Sequence, residues 1–272
     1  MQTAKRRIAS SHVDKQNEVI AVEALRGLVE TINSTYVPMS QEHDPRIAPV
    51  GRVVSAELVA LPDGEHAVDA VMELFEGESV RYEPNGRRLA VRTYNADDAT
   101  VVARYDRSFD DDESLKLLGE VGEVLGVEPQ QELKKSVEPV SVLALVGAFL
   151  AGQISVGFLQ AIGQDAWEKV KERYRKLVVR QQALSKDRIL MADLFLARGD
   201  GTQLNVQVLV EQPSIDDVEA LYETAMRRLE EVAPMYLGNS DTVARVVFEY
   251  RDGKLTELYS VRDDGVPLKL IQ

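Results

Sequence analysis

The sequence predicts an α+β protein of 272 residues. Three observations lead to this prediction. Apolar residues recur at helical spacing in 14–34, β-rich runs separated by turns fill 50–106, and two hairpins flank an amphipathic helix in 187–272. We therefore divide the chain into an N-terminal helix with a small β-rich module (1–135), a central apolar and then charged helical segment (136–186), and a C-terminal ββαββ two-layer module.

The N-terminal part is predicted to form a helix followed by short strands. Six apolar residues have the three- and four-residue spacing of an amphipathic helix, namely Val19, Val22, Leu25, Leu28, Val29 and Ile32. Turn signals at 62–64 and at Asn85-Gly86 separate the β-rich runs that follow. The acidic run 110–113 precedes another helical pattern, and we interpret it as a helix cap because carboxylates stabilise the N-terminal end of a helix dipole.

The C-terminal part has the clearest pattern. Strict alternation of apolar residues follows the Asp200-Gly201 turn, which predicts a β-hairpin. Ser214 with Asp217 forms a capping box before an apolar helical stripe, and Pro234 follows the end of that stripe. A second hairpin is predicted across Asp252-Gly253. This order of elements predicts one helix packed on an antiparallel sheet.

The composition excludes several functional classes. The chain has no cysteine, so disulfides, thiolate catalysis and cysteine-ligated metals are absent. Its formal net charge of −13 makes it repel the phosphate backbone, and we predict no nucleic-acid partner. The N-terminal residues do not have the pattern of a secretory signal. We therefore expect the protein in the cytoplasm or at the cytoplasmic face of the inner membrane.

No motif in the sequence indicates catalysis. The three histidines, His12, His43 and His66, do not have the spacing of a metal site. Phosphate-binding glycine loops and nucleophile elbows are also missing from the sequence. We accordingly predict no cofactor, no bound metal ion and no enzymatic activity.

The most informative feature is a run without charged residues in the middle of the chain. From Pro139 to Gln164, 26 consecutive positions carry no Asp, Glu, Lys or Arg. A helix needs about 20 apolar residues to cross the hydrocarbon core of a membrane, so the run is long enough to do so. Small residues recur four positions apart, which lets helix backbones approach closely, as in Ala144, Ala148 and Gly152.

Two interpretations of residues 140–162 remain open. One is a buried helix or helical hairpin that pairs with copies of itself, and the other is insertion into a membrane. Gln153, Gln160 and Gln164 share one helix face, which argues against a uniformly apolar span. The excess of Lys and Arg in 165–188 would place the C-terminal side of the apolar run in the cytoplasm. A single span would then require residues 1–138, which have no secretory signal, to cross the membrane. We favour the buried helix.

The sequence thus predicts a non-enzymatic, self-assembling interaction or effector-type protein in which residues 140–162 mediate oligomerisation. The alternative is a single-span or re-entrant membrane-inserting effector or accessory protein of a bacterial system, with membrane lipid as its partner. A third interpretation is a carboxylate-based hydrolase without a recognisable motif. Besides further copies of the chain, the partner would be a protein or small molecule that the sequence does not identify. The candidate contact residues are Gly147, Ala148, Gly152, Gly157, Phe158 and Trp167.

Overall fold

The structure is a computed structural model, and the fold it shows is β-rich. Strands account for 43% of the described residues and helices for 34%, and the strands form two mixed sheets. The described residues are 2–13, 17, 19–40, 44–75, 87–90, 101–131, 140–150, 162–184, 187–238 and 243–268. Contacts divide the chain into unit 1 (Met1–Gln41, Ile47–Val91 and Val261–Lys269) and unit 2 (Glu42–Arg46, Arg92–Ser260 and Leu270–Gln272).

Unit 1 is built around a five-stranded sheet. Its elements in chain order are β1 (Gln2–Ser10), α1 (Val22–Ser34), β2 (Thr35–Met39), β3 (Gly51–Ala60), β4 (His66–Leu74) and β5 (Arg88–Leu89). The strand order is β1-β4-β3-β2-β5, and only the short β2–β5 pair is parallel. One face of this sheet packs against α1, where Ile32, Val53 and Ala70 form a buried cluster.

The second sheet has eight strands in the order β13-β12-β11-β10-β9-β8-β6-β7. Its strands are β6 (Val101–Tyr105), β7 (Gln130–Gln131), β8 (Val140–Leu150), β9 (Asp187–Ala197), β10 (Gln203–Glu211), β11 (Val243–Arg251), β12 (Lys254–Arg262) and β13 (Pro267–Leu268). The pairs β6–β7, β8–β9 and β10–β11 are parallel, whereas β6–β8 and β9–β10 are antiparallel. Strand β8 therefore has a neighbour on each side.

The helices of unit 2 are α2 (Asp112–Leu125), α3 (Gln164–Leu184), a short α4 (Asp217–Glu219), a π-helical turn (Ala220–Ala225) and α5 (Met226–Gly238). Buried side chains of α3 and of the π-helical turn donate hydrogen bonds to the backbone of the sheet. The Tyr174 hydroxyl donates to the Ala144 carbonyl at 2.7 Å, and the Tyr222 hydroxyl donates to the Met191 carbonyl at 2.8 Å. Gln181 on α3 also donates to a backbone carbonyl of β8.

The predicted fold class, an α+β protein with an N-terminal helix and a C-terminal ββαββ two-layer module, is wrong. The chain enters unit 1 through the edge strand β1, and the first helix begins only at Val22. The hairpin across Asp200-Gly201 is present as β9–β10. However, β9 also pairs with β8 along its whole length, so the C-terminal strands belong to a larger mixed sheet.

The predicted central helix is also wrong over residues 140–150, which form strand β8. Neighbouring strands lie on both sides of β8, and residues 141–148 are all buried. A strand that is covered on both faces has no polar alternation, so its uncharged sequence resembles that of a buried or membrane helix. The charged helix predicted after the apolar run is present as α3.

Candidate functional site

Three of the six predicted contact residues, Gly147, Ala148 and Trp167, lie among the described residues, and all three are buried. Gly147 pairs with Val101 on one side and Leu194 on the other, and Ala148 pairs with Phe195. Ala148 is buried in the interior of unit 2. Gly152, Gly157 and Phe158 lie outside the described residues.

Trp167 is a core residue of unit 2. It lies near the start of α3 and is only 2% exposed. Its indole ring meets the Tyr222 ring edge to face, with ring centroids 5.4 Å apart, and Tyr222 meets Tyr174 in the same manner at 6.4 Å. Burial raises the pKa of both tyrosines above their usual value. The three rings therefore join α3 and the π-helical turn in an apolar core.

The candidate functional site is an open groove of about 660 Å³ on the surface of unit 2. Helix α2 forms one side, helix α3 forms the floor, and Ile215 borders the groove just before α4. Ion pairs from Arg180 to Asp111 and from Arg173 to Glu120 hold α2 and α3 together. We call this surface the α2–α3 groove.

Local signals in the sequence fix the position of α2. Asp111 is the N-cap residue and accepts a hydrogen bond from the backbone N–H of Ser114 at 3.1 Å, as the acidic run predicted. The Arg180 side chain donates to the Ser114 hydroxyl at 3.0 Å and also bonds Asp111. Partial burial opposes ionisation of the Asp111 carboxyl, but hydrogen bonds from Ser114 and Arg180 outweigh it and lower the pKa. The groove therefore has one rigid end.

The groove also exposes apolar surface. Val179 on α3 is 46% exposed and Ile215 is 44% exposed, while Leu117 of α2 lies buried beside them. Leu115 of α2 does not line the groove, and it is 40% exposed. Large apolar side chains that cluster on a surface are typical of a binding site, whereas single ones need no explanation.

The charges around this apolar strip are mainly positive, although the whole protein carries −13. Four cations and two carboxylates line the groove, and the cations are Lys116, Arg175, Lys176 and Arg180. Lys176 pairs with Glu172 at 2.9 Å, and Arg175 pairs with Glu219 at 2.8 Å. Lys116 makes no ion pair with any residue that the structure describes. An acidic group from another molecule therefore has at least one cation available to it.

A buried lysine stabilises the helix that forms the floor. The Lys171 side chain is 5% exposed, and its Nζ lies 2.8 Å from a Glu168 oxygen and 3.1 Å from a Glu223 oxygen. Desolvation would lower the pKa of Lys171, but hydrogen bonds from the ammonium to these two carboxylates raise it above the usual value. The cluster ties α3 to the π-helical turn, and it serves the fold rather than the groove.

Sequence reasoning missed the groove. The buried side of α3 includes residues 167, 170, 174, 177 and 178. Val179 comes directly after Val178 and is rotated from it by about 100° around the helix axis, so its side chain is exposed. The two adjacent valines, Val178 and Val179, were the feature of the sequence that could have indicated an exposed apolar residue on this helix. Ile215 and Lys116 come from distant parts of the chain, and no pattern in the sequence brings them together.

The comparisons with known proteins give no family. No protein-family model, curated protein or solved structure matches this chain. Among the described residues, no group of His, Asp and Glu side chains has an arrangement that would hold a metal ion. In the same part of the chain, no helix combines the length and the apolar character needed to cross a membrane.

Proposed function

We propose that the protein is a non-enzymatic, self-assembling interaction protein and that two copies associate through their α2–α3 grooves. The observation that supports this is one surface that combines exposed Val179 and Ile215 with Lys116, a cation without an ion-pair partner among the described residues. This proposal keeps the function predicted from the sequence but moves the contact. Residues 147 and 148 are buried positions of β8, so the elements that cover them would have to move before they could meet another copy.

The surface of α2 is complementary to the groove beside it. Its first turn exposes Asp112, and the exposed Leu115 lies three residues further along. The groove offers matching groups, because Lys116 is a cation without an ion-pair partner among the described residues and Val179 is apolar. A surface that carries both halves of a contact can pair with itself around a two-fold axis, as most homodimers do. The α2 helix of each copy then covers the groove of the other.

A charge placed on the floor of the groove should prevent this association. We expect Val179→Asp to raise the dissociation constant of the dimer by at least about tenfold, because it removes a buried apolar contact and buries a carboxylate instead. Sedimentation velocity over a range of protein concentrations measures the effect. The sedimenting wild-type species should have twice the 30.3 kDa mass of one chain, and the variant should have the mass of one chain.

Met235→Asp is the matched control, since Met235 is an apolar residue of unit 2 that is 68% exposed and does not line the groove. This variant should remain dimeric. A wild-type protein that stays monomeric at the highest concentration would overturn the proposal. So would a Val179→Asp variant that folds normally and sediments as the wild type does.

A further inference from the structure

The described sheets have one long edge strand, and it belongs to unit 1. Three of the four edge strands of the two sheets have only two residues each, namely β5, β7 and β13. Short edge strands are a common protection against unwanted strand pairing. The fourth edge strand, β1, has nine residues, so it is the one long edge of the described sheets.

The outer side of β1 pairs with no strand among the described residues. Among the described residues, β1 pairs with β4 on one side only, in antiparallel register from Gln2 to Arg7 and, after a shift at Ile8, from Ala9 to Ser10. Six of its nine residues are exposed, including the run from Lys5 to Ile8. The backbone N–H and C=O groups that alternate along the other side therefore face no strand of the described chain.

The side chains of β1 make this edge cationic. On one sheet face, Arg7 pairs with Asp69 at 2.9 Å and Lys5 pairs with Glu57. Arg6 points to the opposite face and has no hydrogen bond or ion pair within the part of the chain that the structure describes. Ala4 lies two residues before Arg6 on the same face, and the exposed Ile8 lies at an irregularity in the β1–β4 register. Arg6 is thus an exposed cation on this edge that can pair with an acidic residue of an added strand.

These charges select against pairing of β1 with a second β1. In an antiparallel pair centred on Arg6, the two Arg6 side chains would lie directly opposite each other, and like charges opposite each other destabilise a strand pair. An extended segment with an acidic residue at that position would gain an attractive pair instead. Its backbone would continue the ladder of the sheet, which is how strand addition recognises peptides.

We propose that β1 binds an extended acidic segment of a partner protein by strand addition, with a carboxylate of that segment opposite Arg6. The partner strand extends the sheet to six strands on the β1 side. Main-chain hydrogen bonds supply the affinity, and the carboxylate opposite Arg6 supplies the preference for acidic sequence. This surface lies in unit 1 and does not depend on dimerisation through the α2–α3 groove.

The test uses a synthetic peptide as long as β1 that alternates threonine with glutamate. In two-dimensional NMR of the full chain, addition of the peptide should shift the amide signals of residues 2–10. Arg6→Glu should weaken binding by about tenfold, because it replaces an attractive cross-strand pair by a repulsive one. Since Arg6 has no partner among the described residues, the variant should keep the thermal midpoint of the wild type.

Two control peptides separate strand addition from simple charge attraction. The first has the same sequence with every backbone amide N-methylated, which removes the donors along both edges but keeps the charge. The second replaces glutamate by lysine. Neither should shift the β1 signals. Equal binding of the N-methylated peptide would overturn the proposal in favour of non-specific charge attraction, and so would unchanged β1 signals with the acidic peptide at millimolar concentration.

Discussion

Replacing Trp167 by alanine is expected to lower the free energy of unfolding by about 3–5 kcal/mol, the usual range for truncation of a large buried aromatic residue. The indole is 2% exposed and packs edge to face on Tyr222, with ring centroids 5.4 Å apart. Its removal leaves a cavity where α3 meets the π-helical turn. Because Tyr222 and Tyr174 donate hydrogen bonds to β9 and β8, loss of this packing also loosens the attachment of both segments to the sheet.

Urea denaturation followed by circular dichroism measures this effect. Tryptophan fluorescence is unsuitable, since Trp167 is the only tryptophan in the chain. Trp167→Phe should recover much of the loss by filling part of the cavity. Met235→Ala is the surface control, and its unfolding free energy should stay within about 0.5 kcal/mol of the wild-type value. A Trp167→Ala variant as stable as this control would show that Trp167 is a surface contact, as the sequence first predicted.

Replacing Arg104 by methionine is expected to destabilise the protein by a similar amount, about 3–5 kcal/mol, because it removes one partner of a buried ion pair. The Arg104 and Asp193 side chains are 7% and 3% exposed, and their charged atoms lie 3.1 Å apart. Asn205 donates to the same carboxylate at 2.6 Å and in turn accepts from Arg245 at 2.7 Å. Without Arg104, the Asp193 carboxylate keeps amide donors but has lost its closest cation.

Chemical denaturation of two further variants identifies the cause of this loss. Adding Asp193→Asn to Arg104→Met should recover part of the stability, because the uncompensated carboxylate is gone. Arg228→Met should have little effect, since Arg228 pairs with Glu231 at 3.4 Å on the surface and both side chains are more than half exposed. If Arg104→Met were no more destabilising than Arg228→Met, the buried network would not contribute to the stability of the sheet.

Elements governed by local signals were predictable from the sequence. Asp111 caps α2 because its carboxylate reaches the N–H of Ser114, and acids before an apolar helical pattern indicate such a cap. The charged helix α3 and the β9–β10 hairpin follow from periodicity and an Asp-Gly turn. In each case, residues within a few positions of one another determine the structure.

The sheet order and the groove were not predictable in this way. Strand β8 pairs in parallel with β9 and antiparallel with β6, and the residues that decide this lie far apart in sequence. Its continuous apolar run fits a buried strand and a buried helix equally well. The groove depends on three distant segments, because Lys116, Val179 and Ile215 meet only after the helices pack. Val179 alone looks like one more core residue of α3.

The most direct test of self-assembly is a distance measurement between copies. The chain has no cysteine, so Ala183→Cys introduces a single site for a nitroxide spin label. Ala183 is exposed and lies one helical turn beyond Val179 on the same side of α3. Pulsed electron paramagnetic resonance should show a dipolar coupling between labels, which Val179→Asp abolishes and Met235→Asp preserves. A coupling that persists unchanged in Val179→Asp, or a labelled dimer that shows none, would contradict association through the α2–α3 groove.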